Sequence, residues 1–588
     1  MGLGEYLNQS KKIIQNPSIN SCKIAILSNF TINGLGEVMQ VLCNNQKIYA
    51  EVYTPDYNQY MQEIFNKSSR LYKFSPNIIF LLIDTEYMLG GDFYSFPYRL
   101  TNKERENNIE KKFQELKSLI ISLEQNTSCK IVINNFLYPL YSSRGILENK
   151  QDYGIKKAIM DFNNQLEDLA KNDSQLFVFD INSFVMKEGY NSIMDSKMDY
   201  LADMKLSPSA IVSLAKEYLA YIFPLMSMTK KCIILDLDNT LWGGIIGEEG
   251  ISNIKLSPEK EGKPFYDFQK RLLELSERGI ILAINSRNNY NDAIEVIKNH
   301  PYMLLREDNF ASIKINWDDK VKNIKEIAND LNIGIDSLVF IDDDKTNREF
   351  VKKMLPEVFV VELPESSCDY VKTLEALKIF NSFSITKEDL EKKEMYVSQK
   401  KRDELKAKVS DLNSFLNELK LEGEIISVND FNISRTSQLT QKTNQFNLTT
   451  KRYSEGDINS FLKDENYLLK LIRVKDKFGD YGITGLAVFK KIDNSISELD
   501  NFLLSCRILG KNIEFVFLQK LIDELGKREI KKIKARFIPT SKNAPAANFL
   551  REAGFILEGK SGGEENYTLD IGKENKKNIF MEIKYADS

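Results

Sequence analysis

Short apolar runs separated by amphipathic stretches set the pattern of the first third of the chain. Runs at 23–27, 78–83, 130–133 and 176–179 have the length of buried strands. Between them, Ile109, Phe113, Leu116, Ile120 and Leu123 recur every three or four residues and mark one face of a helix. Strands alternating with helices predict a parallel, doubly wound sheet, closing with the helix-like "SPSAIVSLAKEYLAYIF". A second series of the same kind starts at Lys231, with "KCIILDL", "GIILAIN" and "SLVFI" as strands. From about residue 410 the rhythm changes. There "YLLKLIRVKD" and "GITGLAVFKKI" read as antiparallel neighbours, "NFLLSCRIL" as another strand and "IEFVFLQKLIDELG" as an amphipathic helix. The charge-rich stretch between the last two regions reads as a solvated connecting helix. The expected division is 1–228, 229–380, a connector at 381–409, and 410–588.

Composition narrows the chemistry. The 588 residues carry 80 Lys and Arg against 84 Asp and Glu, a net charge of −4, which disfavours nucleic-acid binding by bulk charge. No apolar run approaches the roughly 20 residues of a membrane span, and the first residues lack the basic-then-apolar order of a signal peptide. Six cysteines without a CxxC pair point to reduced thiols and a cytoplasmic protein. The single histidine, His300, lies before a proline at an apparent helix end and is expected to be structural. Histidine-dependent triads and HExxH metal sites are thereby disfavoured. Catalysis has to come from carboxylates, hydroxyls, lysines or thiols.

The sharpest chemistry is Asp236-Leu237-Asp238-Asn239-Thr240, at the end of a buried strand. Residues i and i+2 of an extended segment share a side, so both aspartates can face one pocket at the carboxyl edge of a parallel sheet, where open α/β sheets bind ligands. Ser286 follows the next strand, Lys320 starts a later helix, and Asp342 and Asp343 end the strand "SLVFI". This order resembles the haloacid dehalogenase superfamily of phosphotransferases. The resemblance implies Asp236 as the nucleophile, Asp238 as general acid/base oriented by Thr240, and a phosphoryl group held by Thr240, Ser286 and Lys320. It also implies Mg2+ at Asp236, Asp238 (through its carbonyl) and the pair Asp342 and Asp343, one or the other of which ligates it directly. The short stretch between Thr240 and the next strand leaves room for a flap but not a cap domain, so an open site is expected.

The flanks are more specific. "LDLDNTLWGGIIGEEG", Asn316-Trp317 with Lys320, "KTNQFNLTTKRYSE", "DKFGDYGITG" and "LSCRILGKNIE" resemble the FkbH-like family over nearly the whole chain. Members load a glyceryl unit from D-1,3-bisphosphoglycerate onto the phosphopantetheine thiol of an acyl carrier protein, with loss of both phosphates. Asp344-Lys345 stands where the family usually has Asn-Pro, and Asp344 is expected to face solvent. The last region resembles GNAT acetyltransferases: Arg507, Gly510, Lys511 and Asn512 approximate their phosphate-cradling loop, with Asn512 in place of a small residue, and would bind the phosphopantetheine arm. Cys506 beside that loop is the candidate acyl nucleophile. The first domain resembles SGNH hydrolases, with Ser28 after the first strand and Asn134 and Asn135 at the oxyanion position. Where the base should stand, Asp203 is followed by Leu206 rather than histidine, so it is expected to be inactive. The fold class is thus α/β and multi-domain: a doubly wound SGNH-like domain, a capless haloacid-dehalogenase-like Rossmannoid domain and a GNAT-like α+β domain. Two other readings remain at this point: a magnesium phosphatase of a small metabolite, and a scaffold that docks carrier proteins.

Overall fold

The computed structural model describes residues 1–15, 20–390, 402, 405, 412–540, 542–573 and 581–586. They form two compact units, one of residues 1–226 with 454–457 and one of residues 227–453 with 458–588. Among the described residues no helix is long and apolar enough to cross a membrane.

The first unit is built on β1 (Asn20–Ser28), β2 (Ile48–Tyr53), β3 (Ile78–Leu82), β4 (Lys130–Asn134) and β5 (Leu176–Phe179). They pair in parallel in the order β2-β1-β3-β4-β5. All five residues of β3 are buried, as a parallel strand covered on both faces requires. The Asn102–Asn126 helix starts at a capping box, in which the Thr101 N–H donates to Glu104 and the Glu104 N–H donates to the Thr101 hydroxyl. Ile109, Phe113, Leu116, Ile120 and Leu123 are all buried, confirming the helical face read from their spacing.

The second unit holds two sheets. The first contains β6 (Cys232–Leu235), β7 (Ile281–Ser286), β8 (Phe310–Ile315), β9 (Leu338–Ile341) and β10 (Phe359–Val360). All its pairs are parallel, in the order β10-β9-β6-β7-β8. The strand order reverses at β6, so its carboxyl end is the crevice in which this class of sheet places ligands. Between β6 and β7 the chain makes only a bridge of Gly243 with Lys255, a short Ile246–Glu249 helix and the Lys263–Glu277 helix. This connection between β6 and β7 is too short to hold a cap domain. His300 terminates the Tyr290–Asn299 helix, and its Nδ1 accepts the Tyr302 N–H at 3.3 Å, a structural position.

The second sheet comprises β11 (Leu421–Ser427), β12 (Phe446–Asn447), β13 (Tyr467–Asp476), β14 (Gly479–Lys491), β15 (Ile496–Leu504), β16 (Lys532–Phe537), β17 (Ile556–Ser561), β18 (Glu564–Asp570) and β19 (Met581–Tyr585). β13, β14 and β15 are antiparallel neighbours, whereas β15 runs parallel to β16, joined through the Ile513–Lys527 helix. This is a mixed α+β arrangement. The strand read as "NFLLSCRIL" stops at Leu504. The Ser505 N–H bonds Thr484 O at 2.7 Å, and the chain then folds into a 3-10 turn over Cys506–Ile508. Most of the expected connecting helix lies outside the described residues. Arg402 within it is buried and grips Asp476 with two bonds of 2.7 and 3.0 Å, so this position is anchored rather than solvated.

Candidate functional site

Asp236 follows β6, and its N–H is held by Ile341 O at 3.0 Å, which carries the ladder with β9 one residue past the strand. Asn239 then takes a left-handed conformation (φ 52), and its side chain accepts the Gly244 N–H at 2.9 Å. Asparagine tolerates that conformation. The turn it closes keeps Asp236 and Asp238 at the open crevice.

Lys320 is the first residue of the Lys320–Asp330 helix, whose amino end is capped by Asp319. Its ammonium is almost fully buried, 2.8 Å from Asp236 Oδ1 and 3.1 Å from Asp342 Oδ2, and it donates to Asn285 O at 2.7 Å. Behind it, Asn285 donates to Lys320 O at 3.0 Å, and Asn323 donates to Asn285 at 3.0 Å and to Asn316 at 2.9 Å. A long flexible side chain is thus fixed by a chain of buried amides. The sequence marked Asn316 and Lys320, but not Asn285 or Asn323, because isolated asparagines carry no periodic or charge signal.

Asp238 is held as a hydrogen-bond acceptor by groups that sequence reasoning missed. Trp242 Nε1 donates at 2.8 Å, the Ile246 N–H at 3.2 Å and Asn288 Nδ2 at 2.8 Å. Burial, with the nearby Asp236 charge adding to it, pushes the Asp238 carboxyl above its ordinary range. Thr240, expected to orient Asp238 and touch phosphate, instead points its hydroxyl at Asp343 Oδ1, 3.5 Å away, and is fully buried. The orienting role falls to Trp242 and Asn288. Ser286 ends β7 opposite Ile315 of β8 and is buried at the same carboxyl edge.

Asp342 and Asp343 follow β9. Arg348 fixes this turn by donating to both of their carbonyls, at 2.8 and 2.6 Å. Asp344 is exposed and caps the Lys345–Met354 helix through the Thr346 N–H at 2.7 Å. It therefore faces solvent, as expected. Oxygens of Asp236, Asp342 and Asp343 lie within 4.8 Å of one another. Burial and the Asp236 charge raise Asp342, while burial followed by the charges of Asp236 and Asp342 pushes Asp343 up to about 7. Lys320 pairs with two of the three converging carboxylates and leaves Asp343 without it, and the buried Asp236 Oδ1 receives no aligned hydrogen bond despite its ion pair. All the donors are hard oxygens. These features fit a small divalent cation.

Around the second candidate, Cys506 is partly exposed. Arg507 reaches Tyr481 O at 3.5 Å, and Lys511 donates to Arg507 O at 3.2 Å with its ammonium over the Tyr481 ring. Gly510 has φ +74 with open space where a side chain would stand, and Asn512 is left-handed (φ 59). Asn512 leads into the Ile513–Lys527 helix without a side-chain cap, so the first helical N–H groups are not closed off by that residue.

In the first unit the SGNH-like constellation is spent on structure. Ser28 Oγ accepts the Phe30 N–H at 3.1 Å; Asn134 bridges the Ile83 N–H and carbonyl at 2.8 and 3.0 Å; Asn135 is tied to Asp180 at 2.9 Å and the Ile181 N–H at 2.9 Å. Asp203 accepts from Tyr57 at 2.7 Å, and Leu206 is buried.

Residues 23–222 match the family model described as FkbH, N-terminal domain. The solved N-terminal part of the protein BF1531 from Bacteroides fragilis, described as containing a phosphatase domain complexed with Mg, is 28% identical, covers 65% of this chain and 100% of its own, and has a TM-score of 0.59. The ribosomal-protein-S18-alanine N-acetyltransferase of Escherichia coli is 17% identical over 27% of this chain and 98% of its own, at a TM-score of 0.21. The paia N-acetyltransferase of Thermoplasma acidophilum, solved with coenzyme A, is 14% identical over 25% of this chain and 99% of its own, also at 0.21. No curated protein matches the chain.

Proposed function

We propose that the protein transfers a glyceryl unit from D-1,3-bisphosphoglycerate to the phosphopantetheine thiol of an acyl carrier protein and removes the remaining phosphate. The observation that carries this reading is that one compact unit holds both an open aspartate–lysine phosphatase constellation and a partly exposed thiol beside a basic loop. A phosphatase for a free metabolite has no use for the second.

For acyl transfer, Cys506 sulfur attacks the acyl carbon. The S–C bond forms, the C–O bond to phosphate breaks and phosphate leaves with the electron pair, while the thiol proton passes to solvent. The thiol of the carrier arm, positioned by Arg507, Gly510, Lys511 and Asn512, then displaces Cys506 from the thioester. For dephosphorylation, an Asp236 oxygen attacks phosphorus as the ester P–O bond breaks, and Asp238 donates its proton to the departing alkoxide. Asp238 then takes a proton from the water that hydrolyses the aspartyl phosphate. Its raised pKa suits the acid role. Lys320 and Ser286 hold phosphoryl oxygens. Asp236, Asp342, Asp343 and the carbonyl of Asp238 would hold Mg2+, which when bound offsets the phosphate charge. The absence of a cap domain suits a phosphate ester carried on a long arm.

Incubation of the full chain with Mg2+, D-1,3-bisphosphoglycerate and a holo carrier protein tests this. The expected intact mass of the carrier rises by one glyceryl group. Phosphate release with an unmodified carrier would instead establish a small-metabolite phosphatase. A carrier that binds without either reaction would establish a docking scaffold.

A further inference from the structure

Within the second unit a cavity of about 450 Å³ opens between the amino ends of β6, β7 and β9 and the loop after β15. Among the described residues, seven basic side chains line it against three acidic ones. Two of the cations, Lys442 and Lys542, pair with Asp389 and Asp336. Four others bond to carbonyl oxygens rather than carboxylates: Lys230 to Asp336 O at 2.5 Å, Lys231 to Lys442 O at 3.3 Å, Arg278 to Phe380 O at 3.1 Å and Arg507 to Tyr481 O at 3.5 Å. A carbonyl orients a cation without cancelling its charge, so the wall keeps an excess of positive charge. Arg435, buried on the same wall, is driven down to about 10 by burial, with Arg507 adding to the effect against the opposing charges of Glu388 and Asp389. Cys506 belongs to this lining.

The position matters as much as the charge. Asp236, Ser286 and Asp342 stand at the carboxyl ends of β6, β7 and β9, whereas Lys231, Ile281 and Ser337 of the cavity stand at the amino ends of the same strands. The cavity and the phosphatase crevice therefore lie at opposite edges of one sheet. An anion in the cavity is held there, out of reach of Asp236.

We propose that this cavity binds a phosphorylated carboxylic-acid acyl donor, with Arg278 and Lys231 taking its phosphate ester and Cys506 beside its acyl end. The proposal rests on the function given above for the identity of the acyl group. A rigid charge set suits a compact dianion, and the carbonyl-bonded cations are fixed before the ligand arrives.

The test uses full-length Asp236→Asn protein without added metal and 3-phosphoglycerate as probe. Alkylation of Cys506 by iodoacetamide is followed by peptide mass spectrometry, with the exposed Cys368 as internal control. The probe is expected to slow modification of Cys506 about fivefold or more and to leave Cys368 unchanged, while glycerate gives no protection. Arg278→Gln and, separately, Lys231→Gln are expected to raise the half-protecting concentration about tenfold, at an unchanged melting temperature. Absence of protection by the probe, or protection in both variants equal to that in the parent chain, would overturn the proposal. Protection without acylation of a carrier by the wild-type chain would contradict the proposed function but not the cavity assignment. Acylation with an unchanged KM for the bisphosphate in both variants would contradict the assignment but not the function.

Discussion

The two parallel sheets each end a strand on a polar residue where the strand order reverses: Ser28 after β1 and Asp236 after β6. In the first, Ser28, Asn134 and Asn135 are spent on the fold. Ser28 closes a turn, Asn134 clamps Ile83, and Asn135 holds the start of the next helix. In the second, three carboxylates converge, only Asp236 and Asp342 pair with Lys320, and Asp236 keeps a buried oxygen without an aligned hydrogen bond. A polar group that satisfies the backbone stabilises the fold and has nothing left for a ligand. Groups whose charges do not balance are costly in the empty protein and available for chemistry. Position at a switch point therefore does not make a site; the surplus of unmet charge does.

The comparison breaks most sharply at its two named residues. Asp236→Asn should lower phosphate release from a phosphoglyceryl substrate by at least about 1,000-fold, whereas Ser28→Ala should leave it within about twofold. A comparable loss from Ser28→Ala would mean that the first sheet retains catalysis. Next, Lys320→Met leaves Asp236 and Asp342 facing each other without their cation. Urea unfolding of the metal-free protein should show a loss of about 3–5 kcal/mol, against about 1–3 kcal/mol for Asn134→Ala, which only orphans backbone groups. An equal or reversed order would remove the distinction between the two sheets.

Smaller effects sharpen the second site. Trp242→Phe deletes a hydrogen bond that favours the charged form of Asp238. The Asp238 pKa should rise further, the basic limb of the pH–rate profile should move up, and the rate should fall about tenfold. An unshifted profile would mean that Trp242 only packs. Burial, followed by the charges of Asp236 and Asp342, pushes Asp343 up to about 7 from an ordinary 3.8. Between those values the folded form binds more protons than the unfolded one, so stability is lost as pH rises from about 4 to about 7. The metal-free melting temperature should therefore fall by about 5 °C from pH 5 to 7.5 and flatten in Asp343→Asn; Mg2+ should restore it at pH 7.5. A flat wild-type profile would contradict the charge surplus.

The sequence made the interior of the fold legible because central parallel strands are apolar on both faces. β3, β4, β6, β7 and β9 all show as unbroken runs. What it hid were strands with one face toward solvent. β2 and β8 lie at sheet edges, and their mixed buried and half-exposed residues break the apolar run. β11 and β16 alternate for the same reason. At the site, Asp236, Asp238, Lys320, Asp342 and Asp343 were visible because carboxylates at strand ends stand out against apolar neighbours. Their supporting residues were not: Trp242 and Asn288 act through hydrogen bonds set by the turn at Asn239, which no spacing rule encodes. The Cys506 turn was read as strand because its residues, "SCRIL", carry no breaker; the bond to Thr484 ends the ladder there.

The mass of the carrier protein reads both of the proposed chemistries at once. With the Asp236→Asn chain, D-1,3-bisphosphoglycerate and Mg2+, a holo carrier should gain a glyceryl group that still bears its phosphate, and none should form with Cys506→Ser. An unmodified carrier with the Asp236→Asn chain, or one bearing a glyceryl group without phosphate, would contradict the proposed function.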